Sequence, residues 1–145
     1  ANSLMICGAM LGVNVKICSP KGFEADSKIV EKAKSLSEFG SKISISTDPL
    51  KAMKDAQVIY TDVWASMGQE EEHLKRKKIF ENYKVDQKLI ELADEGAIIL
   101  HCLPAHRGEE ITEEALESKS SHIFDQAENR LHVQQALLAV QLGGI

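Results

Sequence analysis

Gly96-Ala97-Ile98-Ile99-Leu100-His101-Cys102-Leu103-Pro104 runs from a glycine through a short apolar block to two reactive side chains and a proline. The block is too short for a helix, carries β-branched Ile98 and Ile99, and stops at Pro104, so it reads as a buried strand. A strand apolar on both faces belongs inside a parallel sheet. Ligands of such sheets sit beyond the carboxyl ends of the strands, where His101 and Cys102 fall.

Outward from this strand the chain alternates. Ser3–Leu11 is apolar all round and stops at Gly12, a buried helix with a glycine at its end. Val13–Cys18 alternates as a strand and closes on Ser19-Pro20-Lys21-Gly22. Asp26–Phe39 sets Ile29, Ala33, Leu36 and Phe39 on one helical face, and Lys42–Ser46 is the next strand. Thr47-Asp48-Pro49 predicts a cap followed by proline at the first helical position. Ala56–Thr61 is a strand that delivers Asp62, and Val63–Gly68 is a loop holding the chain's single Trp. A helix opens at Glu70-Glu71-Glu72 and continues through Lys75-Arg76-Lys77-Lys78, a solvated face of i,i+4 pairs. Val85–Ala93 is a further helix feeding the 97–100 strand. Beyond it come a polar loop over Ala105–Glu110, a Thr-capped short helix at Thr112–Leu116, a last strand at His122-Ile123-Phe124 and a final helix through Leu142. This order predicts an α/β fold: an open, doubly wound parallel sheet with helices on both faces. The chain opens on a helix where such a unit opens on a strand, so the first strand is expected to be lacking.

At 145 residues, 43% hydrophobic and 27% charged, the chain has the composition of one globular domain. A net charge of -5 gives no footprint for nucleic acid. No apolar run approaches the roughly 20 residues that span a bilayer. Cys7, Cys18 and Cys102 are an odd set without a signal-peptide pattern, which points to free thiols and a cytoplasmic location.

Three positions could carry chemistry. Asp62 reads either as a carboxylate holding an ammonium group or as a turn cap for its own loop. Cys102 is either an inert buried thiol or a proton acceptor activated at the strand end. Arg130 either meets an anion near the start of the last helix or pairs with Asp125 or Glu128. His101, Cys102 and His106 fit no closed zinc pattern and lack a fourth ligand, so no metal is assigned. Leu103-Pro104, directly after a buried strand, is a candidate cis peptide. No phosphate-loop or dinucleotide fingerprint is present.

Asp62-Val63-Trp64-Ala65-Ser66-Met67-Gly68-Gln69-Glu70-Glu71, His101-Cys102-Leu103-Pro104 and Glu128-Asn129-Arg130 together closely resemble the C-terminal signatures of the ornithine carbamoyltransferases. The likeness runs along the whole chain. The related aspartate enzymes have Pro where this chain has Cys102. The resemblance implies an ornithine-binding domain over residues 1–145. Its parent would transfer the carbamoyl group of carbamoyl phosphate to the δ-amino group of L-ornithine, giving L-citrulline and phosphate without metal or organic cofactor. It implies that Asp62, Ser66 and Met67 hold ornithine, that Cys102 accepts the proton, and that Cys102, Leu103 and Arg130 contact carbamoyl phosphate. It further implies a carbamoyl phosphate domain upstream, absent here, and a homotrimer built mainly through that half. The chain alone is therefore expected to be inactive, and a stand-alone amino-acid-binding module without catalysis is the alternative. The apolar face of the last helix, with Leu131, Val133, Leu137 and Val140, is expected to lie exposed.

Overall fold

The computed structural model describes residues 1–65 and 70–143. The order is α1 (Asn2–Met10), β1 (Val15–Cys18), α2 (Ser27–Ser35), β2 (Ile43–Ser46), α3 (Pro49–Met53), β3 (Val58–Thr61), α4 (Glu70–Phe80) with a 3-10 turn at Glu81–Tyr83, α5 (Gln87–Ile90), β4 (Ile98–His101), α6 (Glu113–Leu116) and α7 (Ile123–Gln141). It is an α/β fold with parallel strands flanked by helices. The strands form two parallel pairs, β1 with β2 and β3 with β4. The chain gathers into two compact units, Ala1–Lys54 and Asp55–Ile145.

In the first unit Val15 pairs with Ile43 and Cys18 with Ser46. Met5, Ala9, Val30, Ala33 and Ile43 form the core, backed by Ile6, Val15, Ile17 and Ile29. Gly8 permits this packing, because a Cβ there would lie 2.6 Å from Val15 Cγ2. Gly12 takes φ +78° just past α1, a conformation that suits glycine. Asp26 accepts the Lys28 N–H, and Asp48 accepts those of Leu50 and Lys51 with Pro49 opening α3. Asp48 is thus the cap that its sequence context predicts. The Cys18 thiol is pushed up first by burial and then by the Asp48 charge, which suits a quiet packing residue.

In this unit one helix is shorter than its periodicity predicts. α2 stops at Ser35, and Phe39 is 88% exposed instead of facing inward. The cause is tertiary: the Ala9 carbonyl at the end of α1 accepts both the Glu38 N–H at 3.0 Å and the Ser41 hydroxyl at 2.9 Å, pulling the chain out of helix. Phe39 itself stands at φ 52°.

In the second unit β3 runs beside β4, with Val58 opposite Ile98 and Thr61 opposite His101. The common register ends both strands at one rim. Ile99, Ile111, Ala115 and Ile123 are fully buried around β4, with Ile59, Val85, Leu89 and Leu116 close behind. β3 is only half covered, with Val58 53% exposed. Thr112 caps α6 through its hydroxyl, which accepts the Ala115 N–H.

Two predicted elements differ. Val85 leaves the helical pattern to bridge Ile111, so α5 begins only after Asp86, which caps it. His122-Ile123-Phe124 is no strand. Ser121 makes the bridge to Ile99, the His122 N–H bonds the Ile99 carbonyl, and Ile123 opens α7. Beyond Ile123, Leu131, Val133, Leu137 and Val140 are each more than half exposed, as the sequence predicts. No helix among the described residues is long and apolar enough to cross a membrane.

Candidate functional site at the end of the parallel strands

Because β3 and β4 are parallel and in register, the residues following each leave the sheet side by side. Asp62 follows β3 and Cys102 follows β4, and Cys102 Sγ donates to Asp62 Oδ1 at 3.0 Å. The same oxygen accepts the Val63 N–H at 2.8 Å. Asp62 therefore caps its loop, as one of its two readings has it, and in addition faces the thiol. Its Oδ2 has no partner among the described residues. The loop is pinned further on, where Trp64 stacks near Phe80 at 5.9 Å and its carbonyl accepts from Arg76.

The Cys102 thiol is pushed up, first by partial burial and then by the Asp62 hydrogen bond and charge. It is a protonated thiol at rest. Tyr60, two residues before Asp62, is also raised, chiefly by burial, which outweighs the lowering hydrogen bond from Gln126, with Cys102 and Asp62 adding to the rise. Gln126, in the first turn of α7, donates to the Tyr60 hydroxyl at 3.2 Å and accepts the His101 N–H at 3.0 Å. This bridge ties α7 to the rim. Neither Tyr60 nor Gln126 carries a local signal in the sequence.

His101 turns away from the cleft. It is fully buried, its Nδ1 accepts the Leu103 N–H at 2.8 Å, and its Nε2 lies 3.1 Å from Glu110 Oε1. An Nδ1 that accepts places the ring proton on Nε2, where it is donated to Glu110. Glu110 Oε1 also accepts the His106 N–H at 2.6 Å. Burial pushes the Glu110 carboxyl up, but the His101 and His106 hydrogen bonds outweigh it and the carboxyl lies below the usual range. Both ring nitrogens of His101 are committed, so His101, Cys102 and His106 do not assemble into a metal site. Leu103 stands at φ 55° and the Leu103-Pro104 bond is cis.

Beside the thiol lies a cavity of about 570 Å³ lined by Cys102, Leu103, Pro104, Arg107, Phe124 and Arg130. Arg107 is engaged by Glu113 and Glu117. Arg130 has no ion pair among the described residues: Asp125 is taken by His122 and Glu128 by His132. α7 begins at Ile123, so Arg130 sits about two turns in, outside the reach of the helix end near which its sequence reading set it. It faces the cavity as a cation in its own right. Asp62, Cys102, Leu103 and Arg130 thus fall in one unit around one rim and its cavity. Ser66 and Met67 lie outside the described residues.

The description of the family model that matches residues 1–141 is aspartate/ornithine carbamoyltransferase, Asp/Orn binding domain. The ornithine carbamoyltransferase of a Prochlorococcus marinus strain is 64% identical over 144 residues, covering 99% of this chain and 45% of that protein. That of Thermococcus kodakarensis is 51% identical, covering 100% and 46% respectively. Among solved structures, ornithine carbamoyltransferase from Pyrococcus furiosus aligns with a TM-score of 0.93 at 50% identity, over 100% of this chain and 47% of that one. The anabolic enzyme from Campylobacter jejuni aligns at 0.90 and 41%, over 99% and 48%. The chain spans about half the length of the curated relatives it matches.

Proposed function

Since the chain belongs to the aspartate/ornithine carbamoyltransferase family through its Asp/Orn binding domain, we propose that it is the ornithine-binding half of an enzyme that carbamoylates the δ-amino group of L-ornithine, with carbamoyl phosphate as donor and L-citrulline and phosphate as products. The observation that carries this reading is the 3.0 Å contact between Cys102 Sγ and Asp62 Oδ1 at the mouth of an Arg130-lined cavity.

The chemistry follows from charge. Ornithine's δ-ammonium, with a reference pKa near the lysine value of about 10.4, must shed a proton to attack. Asp62 offers that cation its Oδ2, which has no partner among the described residues. The arriving positive charge pulls the Cys102 thiol back down and its proton passes to solvent. The thiolate then takes one proton from the δ-ammonium, the neutral amine attacks the carbamoyl carbon as the C–O bond to phosphate breaks, and the second nitrogen proton leaves with the phosphate. Leu103 and Arg130 face the carbamoyl phosphate side, Arg130 balancing charge that develops on the leaving phosphate or the carbamoyl oxygen. Ser66 and Met67 complete the ornithine contacts in this assignment. The homotrimer and the carbamoyl phosphate domain of the parent belong to the same proposal. So does a cytoplasmic location, which the three free thiols support.

The test replaces the corresponding half of the Pyrococcus furiosus enzyme with this chain. The chimera is expected to form citrulline from ornithine and carbamoyl phosphate, whereas the 145-residue chain alone is expected to form none. A folded chimera that binds carbamoyl phosphate and makes no citrulline contradicts the proposal. So does citrulline formation by the chain alone, or tight calorimetric binding of ornithine to it without carbamoyl phosphate, the behaviour of a bare binding module.

A further inference from the structure

Apart from the Asp62–Cys102 rim, ligand-bearing side chains gather where α4 meets the 105–111 turn. Donor atoms of His106, Glu109 and Glu110 lie within 4.8 Å of one another. Glu110 is the fixed point: its side chain is fully buried and its Oε1 is satisfied by His101 and His106 N–H, but its Oε2 is buried with no hydrogen-bond partner among the described residues. His106 Nδ1 faces that oxygen at 3.9 Å, too far for a hydrogen bond. From α4, His73 Nε2 reaches Glu109 Oε2 at 2.9 Å, and the two histidine rings stand edge-on with centroids 6.4 Å apart. Lys77 occupies the other Glu109 oxygen at 3.0 Å.

We propose that His106 Nδ1, Glu109 Oε2 and Glu110 Oε2 form a site for a divalent transition metal of the zinc type, with His73, which stands outside that cluster but already contacts Glu109 Oε2, swinging in as fourth donor. Two imidazoles among the donors favour such an ion over calcium or magnesium, which prefer oxygen throughout. Tetrahedral zinc holds its ligand atoms about 3.3 Å apart. The His106–Glu110 gap closes to that by a small swing of His106, whose side chain is 49% exposed. The charge also suits: two carboxylates against Lys77 leave a net negative centre, and the orphaned Glu110 oxygen gains the partner it lacks. The His101–Glu110 hydrogen bond would then orient the ligating carboxylate. Bound metal ties α4 to the turn that backs His101, without using Asp62 or Cys102.

The test is a calorimetric titration of zinc chloride into the chain carrying Cys7→Ser, Cys18→Ser and Cys102→Ser, so that thiols cannot compete, with parallel absorption spectra in cobalt chloride. A single saturable equivalent is expected, with the visible bands of a tetrahedral cobalt centre. His106→Ala and Glu109→Gln, both at accessible side chains, are each expected to weaken binding at least about tenfold, while His122→Ala leaves it unchanged. Absence of saturable binding overturns the site. So does equal affinity in the His106→Ala and Glu109→Gln proteins when their circular dichroism matches the parent.

Discussion

Cys102→Ser, placed in the chimera, is expected to lower kcat by roughly two to four orders of magnitude, the usual worth of a positioned general base. Serine preserves the shape of the site and still donates to Asp62 Oδ1, so the substitution removes acid–base capacity and little else. A serine hydroxyl cannot take up the role of the thiolate, whose reference pKa is about 8.5. The KM for ornithine is expected to move far less, because Asp62 and its loop remain in place. Steady-state kinetics with both substrates varied separate the two effects. A kcat within a few-fold of the parent would remove Cys102 from the proton path.

Glu110→Ala is expected to cost about 3 kcal/mol of folding free energy, because it strands two donors inside the protein. The His101 ring N–H and the His106 backbone N–H both lose their acceptor. Glu110→Gln keeps an oxygen at the same place and is expected to cost clearly less, so the pair distinguishes a lost acceptor from lost volume. Urea denaturation of the three proteins checks this at unchanged m value. The damage also reaches the site, since His101 Nδ1 holds the Leu103 N–H beside the cavity. Equal stability of the Ala variant and the parent would mean that the buried bonds are not formed.

The parts of this arrangement visible in the sequence are those set by local chemistry. β4 is legible because an apolar β-branched run between Gly96 and Pro104 can do little else, and its parallel setting places Cys102 at a rim. Asp48 and Thr112 are legible as caps because their side chains bond N–H groups two or three residues on. Glu110 is not legible. Glu109 and Glu110 are adjacent and chemically identical, yet one is ion-paired with Lys77 and the other is buried against His101, a difference made only by tertiary contacts. The start of α7 is misread for the same reason. Ile123-Phe124 has strand-like composition, but Ser121 completes the bridge to Ile99 and releases the chain into helix one residue after His122. Tyr60 and Gln126 join the site across an interval of 66 residues that no local pattern spans.

At the centre of the account is a carboxylate that controls the protonation of a thiol delivered by a neighbouring parallel strand. The most direct measurement is the pH dependence of Cys102 alkylation by iodoacetamide, in a Cys7→Ser, Cys18→Ser background, with Asp62 intact and with Asp62→Asn. The folded thiol is raised by burial and by Asp62, so the parent should react as thiolate only above the ordinary cysteine range. Removing the Asp62 charge should shift the profile to lower pH and speed alkylation at neutral pH. A profile that stays where it is, or moves to higher pH, contradicts the claim that Asp62 controls the protonation of Cys102.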